Sequence, residues 1–201
     1  MSKFIEASYA MASVVLERLS STMGLTGSEE LRNYHRSSSS STSTAVLQHY
    51  PLSGLDPNTS PGHFTHTDAG SISILFSSDW GLQAFDSAKG GWGYVAPRKH
   101  CAVVNIGDSL RFLSNHRLKS CLHRVVPCNR WNSGSRYSCI FFLRPNKETQ
   151  FRDSDGTLWR AEDWLNRKFG NYRLTHEEQK LTSMSTGRRN FIGLWKDINE
   201  T

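Results

Sequence analysis

His66, Thr67 and Asp68 form a His-x-Asp. In an extended segment residues two apart point to the same side, so one imidazole and one carboxylate can converge on a single ion. A metal site then requires a second imidazole. His123 supplies it best, because it lies in the apolar, strand-like run Leu122-His123-Arg124-Val125-Val126, whose alternate positions face a core.

Two imidazoles and a carboxylate on one face of an octahedron leave three positions open, the arrangement with which non-haem Fe(II) oxygenases admit substrate and dioxygen. Taken alone, the His-x-Asp is weak, for the chain has 8 histidines. A surface turn and a satisfied core histidine explain the same residues. Arg136-Tyr137-Ser138, which begins 13 residues after His123, adds weight. On a strand Arg136 and Ser138 share a face and offer a guanidinium and a hydroxyl to a carboxylate. Ile140 and Phe142 follow on that face, where an unpaired arginine is costly. A bound anion removes the cost.

The elements that must position these residues are legible in outline. Phe4, Ile5, Ser8, Met11, Ala12, Val15, Leu16 and Leu19 recur at helical spacing and predict an amphipathic helix ending near Gly24. Residues 37–44 are all Ser or Thr, a connector with nothing apolar to bury, expected as a mobile loop. From 45 to 145 short apolar or alternating runs are punctuated by turn residues. Strands are predicted over 45–50, 71–76, 82–85, 102–106, 122–126 and 136–143, with turns at 61–62, 89–91 and 107–108, which indicates a sandwich or barrel. After Pro145, 160–169 and 175–184 read as helical. The expected division is 1–44 for the helix and Ser/Thr-rich loop, 45–150 for the β core, and 151–201 for a helical tail.

With 201 residues and 37% hydrophobic content the chain can bury a real core. Its net charge of +6 is unevenly placed: residues 1–97 sum to −3, 98–144 to +8, and 145–201 to +1. The basic segment raises nucleic acid as a partner, but it carries no helix-turn-helix or aromatic-interleaved motif. No apolar run approaches the roughly 20 residues needed to span a bilayer. The four cysteines form no CxxC pair, so a reduced, cytoplasmic protein is expected.

A longer chain of strings carries a resemblance. It runs His49-Tyr50-Pro51, His66-Thr67-Asp68, Ser71-Ile72-Ser73-Ile74-Leu75-Phe76, Gly81-Leu82-Gln83 and Val103-Val104-Asn105-Ile106-Gly107-Asp108. It continues through Leu113-Ser114-Asn115, Lys119-Ser120, Leu122-His123-Arg124-Val125-Val126 and Arg136-Tyr137-Ser138 to Phe141-Phe142-Leu143. In this order and spacing the sequence resembles the 2-oxoglutarate- and Fe(II)-dependent oxygenases of the isopenicillin N synthase-like branch.

The resemblance implies a mainly β fold, a double-stranded β-helix or jelly roll with flanking α-helices at both ends. It implies Fe(II) held by His66, Asp68 and His123, with 2-oxoglutarate as co-substrate bound by Arg136, Ser138 and, in some members, a tyrosine at the position of Tyr50. A tyrosine packing beside Pro51 is the other reading of Tyr50. The implied activity is an O2-dependent dioxygenase that hydroxylates, desaturates or cyclises a small organic molecule, in specialised metabolite biosynthesis. No acid or base residue beyond the metal site is demanded, and neither nucleic acid nor membrane is an expected partner. Typical members carry a long additional N-terminal region, so a protein partner covering the surface left by the short N-terminus is also expected. The alternatives are a truncated, catalytically impaired interaction module, and an oxidase of the same branch that does not use 2-oxoglutarate.

Overall fold

The computed structural model describes residues 2–51, 63–126, 134–175, 178–179 and 181–185. The helical periodicity near the N-terminus folds as α1 (Ser2–Thr22). Its inward stripe is Ser8, Ala12, Leu16 and Ser20, four residues apart and all buried, whereas Met11 is exposed. The small side chains at 8 and 12 let the helix lie close to its neighbours. Two 3-10 turns, Gly27–Glu29 and Leu31–Tyr34, lead away from it.

Ten strands follow: β1 (Thr44–Pro51), β2 (His63–His66), β3 (Ile72–Phe76), β4 (Leu82–Asp86), β5 (Gly91–Tyr94), β6 (Val103–Ile106), β7 (His123–Val125), β8 (Ser135–Leu143), β9 (Gln150–Arg152) and β10 (Leu158–Arg160). Eight of them form two antiparallel sheets, in the orders β1-β8-β3-β6 and β2-β7-β4-β5. The chain passes back and forth between the sheets, which is the winding of the expected jelly roll. Two helices, α2 (Asp108–Leu113) and α3 (Ala161–Tyr172), flank the β core.

Alternation sorts the side chains of the first sheet. Ile72 and Ile74 of β3 and Phe141 and Leu143 of β8 pack with Ala12 and Leu16 of α1 into the main core. Their neighbours Ser73, Leu75, Ile140 and Phe142 line a cavity on the other face. A second apolar cluster, Phe112, Phe151, Ala161 and Trp164, fastens α2, β9 and α3 together. β2, β5, α2 and the β9–β10 hairpin lie outside the predicted elements. The helix predicted over 175–184 falls partly outside the described residues, as do the turn at 61–62, Cys128, Trp131, His176 and Trp195.

The Ser/Thr-rich connector is held rather than loose. Ser41 bridges Asn146, the Lys147 N–H donates to the Ser40 carbonyl at 3.0 Å, and the Arg144 N–H donates to Ser43 Oγ at 3.0 Å. Residues with nothing apolar to bury are tied down here through backbone groups and hydroxyls.

His35, which lacked any sequence-level role, is buried between Leu31 and Ser71. Its Nδ1 lies 2.8 Å from the Leu31 carbonyl and its Nε2 2.7 Å from Ser71 Oγ. Burial lowers its pKa from 6.5 to about 4, against the opposing pull of the Leu31 carbonyl. The unfolded chain therefore binds the extra proton between these two values. Stability is intact above about pH 6.5 and falls toward pH 4, by roughly 2 kcal/mol between pH 6.5 and 5. Urea midpoints against pH should show this acid slope, flattened in His35→Gln. An equal slope in the variant assigns the effect to other groups.

Candidate active site

His66 closes β2 and His123 opens β7, and the two are register partners. Asp68 lies just past the end of β2. The Nε2 atoms of His66 and His123 each lie 3.6 Å from Asp68 Oδ1, and the ring centroids are 4.3 Å apart. One ligand atom from each residue falls within 4.8 Å of the others. Thr67 points the other way, toward Asp108, so the alternation expected of His-x-Asp holds even though only His66 belongs to the strand.

Each of these side chains is aimed. Asp68 Oδ2 accepts hydrogen bonds from Ser73 Oγ (2.6 Å) and Asn105 Nδ2 (2.8 Å), which turns Oδ1 toward the imidazoles. His123 Nδ1 sits 3.1 Å from the Cys121 carbonyl; donating there leaves the Nε2 lone pair facing Asp68. Burial disfavours the Asp68 charge, but His123, His66 and the Ser73 hydroxyl outweigh it and hold the carboxyl well below the usual carboxylate range. Three donors of this type, fixed before any ion arrives, suit a divalent transition metal.

Beneath this turn lies a polar cluster that sequence reasoning missed. The Asp108 N–H donates to the Asp68 carbonyl at 2.7 Å. The Asp108 carboxylate accepts from Thr67 Oγ1 (2.9 Å), Ser120 Oγ (2.8 Å) and the ammonium of Lys168, which also reaches Thr67 Oγ1 at 2.7 Å. Asp108 and Lys168 are fully buried. Gly107 permits the approach, since a Cβ there would meet the Gly70 carbonyl oxygen at 2.3 Å and that of Asp68 at 2.8 Å. The one available signal was Gly107-Asp108, which a turn explained equally well.

The triad opens on a cavity of about 280 Å³ between the two sheets, lined mostly by apolar side chains such as Leu75, Leu82, Val103, Val125 and Ile140. Tyr50 also lines it, and the Arg136 guanidinium lies 5.2 Å from the Tyr50 ring centroid. Arg136 is 1% exposed, yet its Nε and Nη2 have no hydrogen-bond partner. Among the described residues no carboxylate lies within ion-pair distance of it. Ser138 Oγ is 3.4 Å from Arg136 Nη1. Gly81 makes room for the arginine: its φ is +128°, and a Cβ would stand 3.1 Å from Arg136 Cδ. Orphaned, buried guanidinium donors are what an anionic co-substrate would satisfy.

The structure thus brings His66, Asp68 and His123 together at the mouth of one cavity, and Arg136, Ser138 and Tyr50 together beside it. The Tyr50 hydroxyl donates to Gln48 Oε1 at 2.6 Å within the cavity wall. The other basic residues of 98–144 divide between surface and interior. Arg98, Lys99, Arg117 and Lys119 are exposed, but Arg111 and Arg124 are buried as well as Arg136. His100 and His116 are exposed.

A jelly roll carrying a His-x-Asp and a distant histidine at the mouth of its cavity, with a buried arginine behind, defines a non-haem Fe(II), 2-oxoglutarate-dependent dioxygenase. The chain belongs to the 2OG-Fe(II) oxygenase superfamily, whose sequence profile matches residues 41–145. It is 44% identical over 187 residues to the 2-oxoglutarate-dependent dioxygenase iboH of Amanita muscaria, covering 92% of this chain and 90% of that one. It is 39% identical over 185 residues to the 2-oxoglutarate-dependent dioxygenase FG08081 of Gibberella zeae, covering 92% of this chain and 55% of that one. The crystal structure of a full-length Neurospora crassa protein in complex with alpha-KG superposes with a TM-score of 0.70 at 25% identity, over 84% of this chain and 55% of that one. The chain therefore spans most of iboH but little more than half the length of the other two.

Proposed function

We propose that His66, Asp68 and His123 hold Fe(II), that Arg136 and Ser138 bind the distal carboxylate of 2-oxoglutarate, and that Tyr50 flanks that carboxylate. The substrate is a small organic molecule, a specialised metabolite. The observation that carries this reading is the convergence of the three donors on a cavity beside a buried, unpaired arginine. With Fe(II), 2-oxoglutarate and O2 bound, the site supplies oxidation of a substrate C–H bond. The chain's own work is to fix the geometry. Ser73 and Asn105 hold Asp68, the Cys121 carbonyl orients His123, and apolar walls exclude water. The relatives' names favour this reading over an impaired module or a 2-oxoglutarate-independent oxidase. The covering protein partner is not part of it. Among the described residues no helix is long and apolar enough to cross a membrane, and a cytoplasmic location is proposed with the rest.

Anaerobic addition of Fe(II) and 2-oxoglutarate should produce a weak metal-to-ligand charge-transfer band in the visible, and O2 should then release succinate. Absence of both the band and succinate would falsify the proposal. Arg136→Gln should raise the 2-oxoglutarate concentration for half-maximal band formation by about 10²-fold, the worth of a buried charge-assisted pair, while Fe(II) binding stays near wild type. An unchanged 2-oxoglutarate titration would remove Arg136 from this role.

A further inference from the structure

Strand β8 points Arg136, Ser138, Ile140 and Phe142 toward the interior, and the next residue on that face, just past the strand, is Arg144. A second cavity, about 510 Å³, lies there and is lined by His66, Asp68, Phe142, Arg144, Phe169 and Tyr172. It reaches the same two metal-site residues from the side away from Arg136.

Arg144 is half-buried, and like Arg136 it has a guanidinium nitrogen that no protein group satisfies. Its Nε is buried without a hydrogen-bond partner. Its guanidinium lies between two aromatic rings, 5.6 Å from the Phe142 centroid and 5.5 Å from that of Phe169. Burial pulls its pKa down while the charge of Asp68 pulls the other way. Asp68 is nonetheless no partner, because Oδ2 is taken by Ser73 and Asn105 and Oδ1 faces the imidazoles. Among the described residues no carboxylate is within ion-pair distance of Arg144. Anchoring the connector uses only Nη1, which donates to the Thr42 carbonyl. The Nε edge, the side of a guanidinium that grips a carboxylate in bidentate fashion, is left over.

We infer that Arg144 is a substrate-binding residue and that the oxidised substrate carries a carboxylate, held by the Nε edge with its apolar body directed at the metal site. This rests on the function proposed above and adds the substrate class to it. Arg136 on β8 and Arg144 just past its end then divide the labour, Arg136 taking the co-substrate and Arg144 the substrate.

The test uses protein loaded anaerobically with Fe(II) and saturating 2-oxoglutarate, so that the Arg136 site is filled. Binding of 3-phenylpropanoate and octanoate, and of their primary amides, is followed by ligand-observed NMR. The carboxylates should bind about tenfold or more tighter than the amides, as expected for a hydrogen-bonded charged group. Arg144→Met, which keeps an apolar stem, should erase the difference, and Arg144→Lys should restore part of it. Equal affinity of acid and amide in the wild type, or no measurable acid binding while the charge-transfer band is present, overturns the inference alone. That comparison needs no variant to fold. An absent band overturns the proposed function, and the inference falls with it.

Discussion

Asp68→Ala removes Fe(II) binding and 2-oxoglutarate turnover together. Asp68 is the single anionic group of the three converging donors, and its Oδ1 is the atom that both imidazoles face. Its carboxylate is held ionised despite burial, and its second oxygen is pinned by Ser73 and Asn105; among the described residues no other carboxylate joins the two imidazoles. Loss of the charge and of one ligand together should lower Fe(II) affinity by at least about 10³-fold and bring succinate formation to background. Ser73→Ala and Asn105→Ala, which free the outer oxygen but keep the ligand, should give intermediate losses of about 10- to 100-fold in metal affinity. Anaerobic Fe(II) titration with the charge-transfer band as readout checks the series. Stoichiometric iron in Asp68→Ala at wild-type affinity contradicts the assignment.

The parts of this site that were legible in the sequence are those set by local geometry. Period-two alternation placed His66 and Asp68 on one side, and Arg136, Ser138, Ile140 and Phe142 on one face of a strand, without knowledge of any partner strand. Helical periodicity placed Ala12 and Leu16 on the buried face of α1 for the same reason. Features defined by long-range pairing were not legible. β5 is Gly91-Trp92-Gly93-Tyr94, and it is a strand only because β4 lies beside it. His35 and Lys168 carried no signal of burial, since their partners Ser71 and Asp108 stand 36 and 60 residues away. The Ser/Thr-rich connector looked mobile by composition, yet it is held by residues 144–147, about a hundred positions on in the chain. Arg144 was hidden in a basic segment whose total charge pointed toward nucleic acid, and only the cavity beside it separates it from its solvated neighbours.

Lys168→Met should be the most destabilising single change outside the main core. The ammonium is fully buried, so burial lowers its pKa, and the Asp108 carboxylate opposes that shift. Removing it leaves Asp108, itself without exposure, with Arg111 Nη2 at 3.7 Å as its nearest remaining cation. Removing one partner of a buried ion pair costs about 3–5 kcal/mol, of which the more distant Arg111 offsets only part, and methionine fills the vacated stem volume, so the loss is electrostatic rather than a cavity. Urea unfolding should register that loss as a lower midpoint with an unchanged slope. Asp108→Asn added to Lys168→Met should recover part of it, because the double variant no longer buries a carboxylate that has lost its nearest cation. A loss below about 1 kcal/mol in the single variant, or a double variant no more stable than the single, would show that the pair is not what holds α3 to the His-x-Asp turn. The consequence for function follows from position. Lys168 and Asp108 meet at Thr67, between two of the three proposed ligands, so the folded fraction of Lys168→Met should also bind Fe(II) more weakly, and Asp108→Asn should restore affinity in step with stability.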